Sequence, residues 1–443
     1  MARYAVVGAG IAGLAAAWEL SRREPEAGIT VFDPGPVGGK LRTSTFAGRL
    51  VDEGADAFLA RVPWGRELCD ELGLGADLVS PATGAAYIAA GRGLVSLPPG
   101  LVLGVPTDAD ALRDSPLLSA DSIERVRREP RQPGRPLGDD DDPSVGALIR
   151  ARFGDEVLER LVDPLIGGIN AGDSDRLSVR AAVPQIAEAA ARSASLVEGL
   201  RAAPPAAPGP VFWAHPGGMA AIVDRLAGAL RGASVRFERA AVDDLAGLDA
   251  SGVVVATPAR AAATLLGPAG AKEAARLLET VGHSSPVLVT FAFARGDVRH
   301  PLDASGFLVP RSEGRLLTAC SFATTKWTQL ATDPSTVVLR ASAGRYGDDR
   351  AAATADDDIV SGMLADLDEL LGVNGAPTEV RVSRWPDGFP QYEPGHIARV
   401  AAIDADVVAS LPHVRLAGAT YRGVGVPACI RSGREAARDL MGA

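Results

Sequence analysis

Apolar residues are spaced in two ways along this chain, and the changes between them divide it. Tyr4-Ala5-Val6-Val7 is an apolar run ending in glycine, Gly10 to about Arg23 is Ala-rich with helical periodicity, and Ile29-Thr30-Val31-Phe32 is a second run. Strand, glycine turn, helix, strand is one half of a doubly wound α/β domain. From about 64 to 200 the period becomes helical, with amphipathic stretches at Ser144–Phe153, Asp155–Leu165 and Ala181–Leu200. A Pro/Ala stretch over 203–210 predicts a linker. Strand-like runs follow at Ser234–Phe237, Gly252–Ala256, Val287–Phe293, Gly306–Val309, Leu316–Phe322, Thr336–Arg340 and Glu379–Trp385, enough for a second sheet. A last strand, Val414–Gly418, leads through a glycine-rich turn into a helix from about Pro427 to Met441.

Composition narrows the function classes. A net charge of −10 with no local basic patch argues against a nucleic-acid partner. Cys69, Cys320 and Cys429 form no CxxC pair, so neither a disulfide framework nor a metal site is expected, and a reducing, cytoplasmic setting fits. The N-terminal residues enter a strand at once, without the pattern of a signal peptide. No apolar run reaches the length of about 18 residues that spans a bilayer. The nearest, Leu94–Val105, is broken by Pro98-Pro99-Gly100; a buried loop edge is the plainer reading, and peripheral membrane contact stays open. The acidic run Asp139–Asp142 reads as a solvated loop. Only Lys40, Lys272 and Lys326 are lysines, and the histidines His215, His283, His300, His396 and His413 form no cluster, so surface or capping roles are expected for them.

Gly8-Ala9-Gly10-Ile11-Ala12-Gly13 follows a strand and opens a helix, with Asp33 beyond it at the end of the next strand. In that context Gly8 permits a tight turn, Gly10 lets a pyrophosphate approach the backbone, and Gly13 allows close helix-to-strand packing. The helix N-terminus, through Ile11 and Ala12, offers N–H groups to phosphate, and Asp33 can accept from a ribose hydroxyl. This predicts an adenine dinucleotide without choosing between NAD and FAD. Gly38-Gly39-Lys40-Leu41-Arg42-Thr43, followed by Asp52–Asp56, resembles the GGxxxT extension of FAD-dependent oxidases and desaturases related to amine oxidases, which favours flavin. Read alone, Gly38-Gly39 is a turn and Arg42 a surface cation. At the far end, Gly418–Pro427 joins a strand to a helix whose N-terminus, at Gly425 and Val426, suits an anionic reduced flavin. Cys429 reads as a small buried side chain, so the FAD is expected to be non-covalent.

Further blocks resemble the protoporphyrinogen and coproporphyrinogen oxidases: Leu161–Ser178, Asp52–Pro63, Gly306–Pro310, Arg384-Trp385, Phe389–Tyr392 and Ala417–Gly433. The resemblance spans Tyr4 to the C-terminal helix and is similar above all to the bacterial coproporphyrinogen III oxidases of the coproporphyrin-dependent haem pathway. It implies an amine-oxidase-like flavoprotein fold: a Rossmann-like α/β FAD-binding domain (1–63, 211–285, 393–443), a mixed-sheet substrate domain (64–92, 286–392) and an inserted helical region (93–210). It implies oxidation of coproporphyrinogen III in three hydride-plus-proton steps to flavin N5, with O2 reduced to H2O2 and no catalytic side chain. Transfer of the product to a ferrochelatase follows from the pathway. By position, Val242 would pair with adenine and Trp385 would contact the cofactor. Gly168 and Ile169 would line one face of the macrocycle and Leu308 the other, with Arg61 a candidate propionate partner. Asn170 stands where the family usually carries an aromatic, and Asp33 where Glu is commoner. Protoporphyrinogen oxidase, a flavin amine oxidase and a non-catalytic flavin-binding scaffold are the competing readings. The amine oxidase would use a lysine near N5, and only Lys326 lies in the substrate half.

Overall fold

The computed structural model describes residues 1–132, 134–204 and 209–442; Pro205–Pro208, the middle of the expected linker, lie outside the described residues. The chain forms two units: Met1–Ser80, Ala207–Gly282 and Ile397–Ala443 make the first, Pro81–Ala206 and His283–His396 the second.

In the first unit five parallel strands lie in the order Arg236–Glu238, Gly28–Phe32, Arg3–Val7, Gly252–Val255, Val414–Leu416. The central pair is buried on both faces, which is why Ala5-Val6-Val7 and Gly252–Val255 are continuous apolar runs rather than alternating ones. Val6, Val31 and Val254 face helices Ile11–Arg23, Ala220–Gly232 and Val426–Met441. Ala5, Val7, Val253 and Val255 face helices Ala259–Ala269, Lys272–Glu279 and His396–Ser410. The alanine excess has a packing reason here: Ala15, Ala16 and Ala17 are fully buried, and a Cβ on Gly433 would overlap the Ala12 carbonyl, so two helices approach closely. Helix Pro63–Glu71, expected in the substrate domain, packs into this unit through Leu68, Cys69 and Leu72.

The second unit joins a helical part to a seven-stranded sheet, ordered Glu379–Arg384, Val287–Ala294, Thr336–Ala343, Leu317–Phe322, Gly306–Leu308, Tyr87–Ala90, Gly93–Ser96. All pairs are antiparallel except Gly306–Leu308 with Tyr87–Ala90. Phe291, Phe293 and Leu339 pack on helix Asp356–Leu371. The helical part is not a separate body, because Ile88 of the sheet sits in its core with Ile149, Phe153 and Leu161. Ser119, Ser144, Ser178 and Ser195 each accept an N–H at a helix start. Two of these interruptions, Ser178 and Ser195, together with Pro184 at a first helical turn, cut the expected Ala181–Leu200 helix into Val179–Ala182, Pro184–Arg192 and Leu196–Arg201. Glu129, fully buried, accepts from the Ser195 hydroxyl and from the N–H groups of Leu196 and Val197 at 2.6, 2.7 and 3.2 Å.

Of two segments singled out in the sequence, the acidic run differs from the plain expectation. Asp142, in the acidic run, accepts from the Ser178 hydroxyl at 2.6 Å and from the Gly395 N–H at 2.8 Å, so part of that run anchors the fold. Val105 is fully buried, while Leu94, Val95, Leu97 and Leu101–Leu103 are half-buried against the cores of this unit. Among the described residues no helix is long and apolar enough to cross a membrane.

Candidate cofactor cradle and substrate wall

The cradle begins where strand Arg3–Val7 ends. Gly8 has φ +110°, and a Cβ there would lie 2.7 Å from the Ala256 carbonyl oxygen; a Cβ on Gly13 would overlap the Gly8 carbonyl. Both positions therefore require glycine for packing. Gly10 differs, since a Cβ there meets nothing within 4 Å, leaving open space over the backbone. Gly10 also starts helix Ile11–Arg23, and no side chain caps that N-terminus. The second glycine turn comes up beside the first. Gly38 N–H donates to the Ala9 carbonyl at 2.8 Å, and a Cβ on Gly39 would be 3.2 Å from Gly10 Cα. Two glycine turns and an uncapped helix start thus form a wall of backbone at which a pyrophosphate can be held by N–H groups.

Asp33 is fixed at the end of its strand, Oδ2 accepting from Ala9 N–H and Oδ1 from Gly35 N–H, both at 2.7 Å. A carboxylate has about four acceptor sites, so this leaves capacity for a ribose hydroxyl. Arg42 Nε donates to the Gly39 carbonyl at 3.0 Å, bracing the second turn. Lys40 is exposed. Burial pushes the Cys429 thiol up to about 11, while the Lys40 ammonium pulls the other way. Thr43 is half-buried. Its hydroxyl donates to Asp52 at 2.5 Å and accepts from Ala220 N–H at 3.0 Å, and Asp52 takes Met219 N–H at 2.8 Å. The pair caps helix Ala220–Gly232, a role the sequence reading missed. A capping residue at a spacing of 177 leaves no local signal.

At the C-terminal end Gly418 has φ +118°, and a Cβ there would reach Ala12 Cβ at 4.0 Å. Gly425 starts helix Val426–Met441, again without a side-chain cap. The first unit therefore presents two uncapped helix starts beside glycine turns, and these residues fit a dinucleotide such as FAD. Val242 is half-buried in the loop after Arg236–Glu238, and Arg61 is exposed in the loop after Phe58–Leu59.

In the second unit Gly168, Ile169 and Asn170 end helix Asp163–Asn170, which Ala171 terminates in the left-handed region at φ 43°. Gly168 and Ile169 are exposed, Ile169 by 53%. A Cβ on Gly168 would be 3.5 Å from Leu308 Cδ2, so these two lie side by side on one apolar edge, not on opposite faces of a macrocycle as expected, since no ring fits between atoms that close. Asn170 turns inward: it is buried and donates one N–H from Nδ2 to the Ile166 carbonyl at 2.9 Å. Trp385 is half-buried in a turn, donating its N–H to the Pro286 carbonyl and accepting from Gly388 N–H, both at 3.0 Å. Under this edge lie two arginines. Arg345 is buried, which pushes its pKa down to about 10 against the pull of Asp163, and Arg311 shares the same carboxylate.

Three of the five histidines have structural partners in their own loops and helices. His215 Nδ1 accepts from Gly217 N–H, His300 Nδ1 from Leu302 N–H, and His396 stacks on Tyr392 at 4.0 Å. The Lys326 ammonium sits 5.0 Å from the centre of the Trp327 ring. Cys69, Cys320 and Cys429 are free and buried, and among the described residues no group of His, Cys, Asp and Glu could hold a metal ion.

Comparison with known proteins agrees with this geometry. The model of flavin containing amine oxidoreductase matches residues 11–441. Coproporphyrinogen III oxidase of Bacillus subtilis (strain 168) is 31% identical over 98% of this chain and 97% of its own. The protein of that name in Mycobacterium tuberculosis (strain ATCC 25618 / H37Rv) is 36% identical over 99% and 97%. A crystal structure from Exiguobacterium sp. 255-15, provisionally named protoporphyrinogen oxidase, superposes with a TM-score of 0.88 at 31% identity over 99% of this chain and 98% of its own. The chain belongs to the flavin-containing amine oxidoreductase family.

Proposed function

We propose that this protein is an oxygen-dependent coproporphyrinogen III oxidase that produces coproporphyrin III for haem synthesis. The observation that carries the reading is the apolar edge of the second unit, where a bare glycine, an exposed isoleucine and Leu308 lie together. A porphyrinogen is a broad apolar disc, and such an edge offers it apolar contact. Bound FAD supplies a two-electron acceptor for hydride and is reoxidised by O2 to give H2O2, so six electrons require three rounds. The chain's own part is to bind and orient. Gly8, Gly10, Gly13, Gly38 and Gly39 would cradle the pyrophosphate with the N–H groups of Ile11 and Ala12, and Asp33 would hold a ribose. Lys40, Arg42 and Thr43 would shape the cradle, Val242 would meet adenine, and Gly418, Gly425 and Val426 would bring a helix N-terminus to the flavin. Trp385 is assigned a cofactor contact, Gly168, Ile169 and Leu308 the macrocycle, and Arg61 a propionate. Asn170, which holds its own helix through one amide N–H, is assigned to the same substrate edge.

A second reading, oxidation of protoporphyrinogen IX, is favoured by the name of the Exiguobacterium structure. The chemistry is the same and only the rim carboxylates differ. The buried reduced cysteines support the cytoplasm as the setting. The metal-free porphyrin product calls for an iron-inserting enzyme, a ferrochelatase, as the next partner. The test is anaerobic: coproporphyrinogen III added to the purified yellow protein bleaches the flavin, and air restores the colour with release of H2O2. A flavin spectrum that does not change on addition contradicts the proposal.

A further inference from the structure

The end of helix Asp163–Asn170 is held more firmly than a helix terminus needs. Three successive carbonyls accept from three different parts of the second unit: Asn170 from Gln391 Nε2 at 3.1 Å, Ala171 from Tyr346 N–H at 2.9 Å, and Gly172 from an Arg311 guanidinium nitrogen at 2.6 Å. Helix C-terminal carbonyls commonly turn to water or to a glycine cap. Here the terminating residue is Ala171 at positive φ, a conformation unfavourable for an alanine that persists only where its surroundings impose it. Gln391 is 1% exposed, and its Nε2 also lies 3.2 Å from Ser284 Oγ and 3.3 Å from the Phe389 carbonyl oxygen, so its two N–H groups are shared among three acceptors. Its Oε1 faces Gly172, where a Cβ would come within 2.8 Å. Arg311 reaches both ends of the segment, since its Nε lies 3.5 Å from Asp163 at the start of the same helix. The turn before that helix, Leu158–Val162, is a π-helical bulge, a local irregularity frequent at functional sites.

We propose that Arg311 and Gln391 are positioning residues that lock the 168–172 turn, so that Gly168 and Ile169 stand at a fixed height beside Leu308 and seat the macrocycle. This rests on the reading of that edge as the porphyrinogen contact. Neither side chain touches substrate in this account. Each acts through the backbone carbonyl it holds, and misplacement of a binding wall by a fraction of an ångström weakens seating.

The experiment compares Arg311→Met, Arg311→Lys and Gln391→Leu with the parent holoenzyme, measuring kcat and KM for coproporphyrinogen III, flavin content, and hydrogen exchange across 166–173. The Met and Leu variants are expected to raise KM roughly tenfold with kcat within about threefold and flavin content unchanged. Arg311→Lys, which keeps one donor for the Gly172 carbonyl, recovers most of that loss. Exchange at 166–173 rises in the same order as KM. A flavin-replete variant with parental KM and faster exchange overturns the positioning role, as does unchanged exchange. A variant that loses flavin and folds poorly leaves Arg311→Lys to decide: intermediate exchange with parental KM also overturns it. If the parent itself fails to oxidise the porphyrinogen, the functional reading falls and this inference with it, an outcome distinct from an active parent whose KM is insensitive to the clamp.

Discussion

The cofactor cradle of the first unit and the apolar edge of the second are both glycine turns at helix ends, yet they are held in opposite ways. In the cradle, backbone meets backbone: Gly13 against Gly8, Gly38 on Ala9, Gly39 against Gly10. Among the described residues Asp33, on Ala9 and Gly35, is the polar side chain tying the first turn. At the edge the turn at 168–172 hangs on side chains and backbone far along the chain, Arg311, Tyr346 and Gln391. A close backbone packing tolerates no added carbon, whereas a clamp of separate hydrogen bonds can be loosened one member at a time.

That difference orders the expected effects. Gly13→Ala is the harshest, because its methyl overlaps the Gly8 carbonyl; helix propensity gains at most about 1 kcal/mol and the clash costs roughly 3 kcal/mol, so purification is expected to yield little flavoprotein. Normal yield with full flavin would show that the turn can relax. Asp33→Ala removes two charge-assisted hydrogen bonds and is expected to raise the dissociation constant of FAD at least about tenfold, read by desalting and titration. Unchanged flavin retention would refute its ribose role. Glu129→Gln leaves the Leu196 and Val197 N–H groups with a weaker acceptor inside a dry core and is expected to cost about 2 kcal/mol in thermal unfolding, with KM unaffected. A shifted KM there would mean that the helical part and the edge are not separable.

The mildest effect is on acid stability. Burial raises the pKa of Glu71, but the paired hydrogen bonds from Arg434 and the one from Trp18 outweigh it, so the folded value lies below 4.5. A carboxylate with a depressed folded pKa stabilises fully above the unfolded value and loses that contribution as pH falls through the folded one. Glu71→Gln should therefore be less stable than the parent near neutral pH, with the gap closing as pH falls below 4.5 and through the depressed folded pKa. A gap that stays constant across this range contradicts the ion-pair origin.

Legibility followed the same divide. The Gly8–Gly13 turn, its strand and its helix could be read because the packing that demands glycine is between residues close in sequence. The parallel sheet could be inferred from continuous apolar runs, and the second sheet from strands such as Val287–Ala294. What could not be read depends on distant pairing. Nothing near Thr43 signals that it caps a helix at Ala220, nothing near Gln391 that it holds Asn170, and nothing in Asp139–Asp142 that Asp142 ties Gly395. The bond of Asn170 to Ile166 of its own helix shows only once the helix is seen to turn that face inward. Helix Pro63–Glu71 was assigned across a boundary because amphipathic spacing says which face is buried, not against what.

The most direct test of the functional account is parallel aerobic turnover of coproporphyrinogen III and protoporphyrinogen IX, following porphyrin fluorescence, H2O2 and the flavin spectrum together. The account predicts a clear kcat/KM preference for the four-carboxylate macrocycle, with three H2O2 formed per porphyrin. A preference for protoporphyrinogen IX would move the enzyme to the other reading, and a flavin-replete protein that oxidises neither would contradict the account.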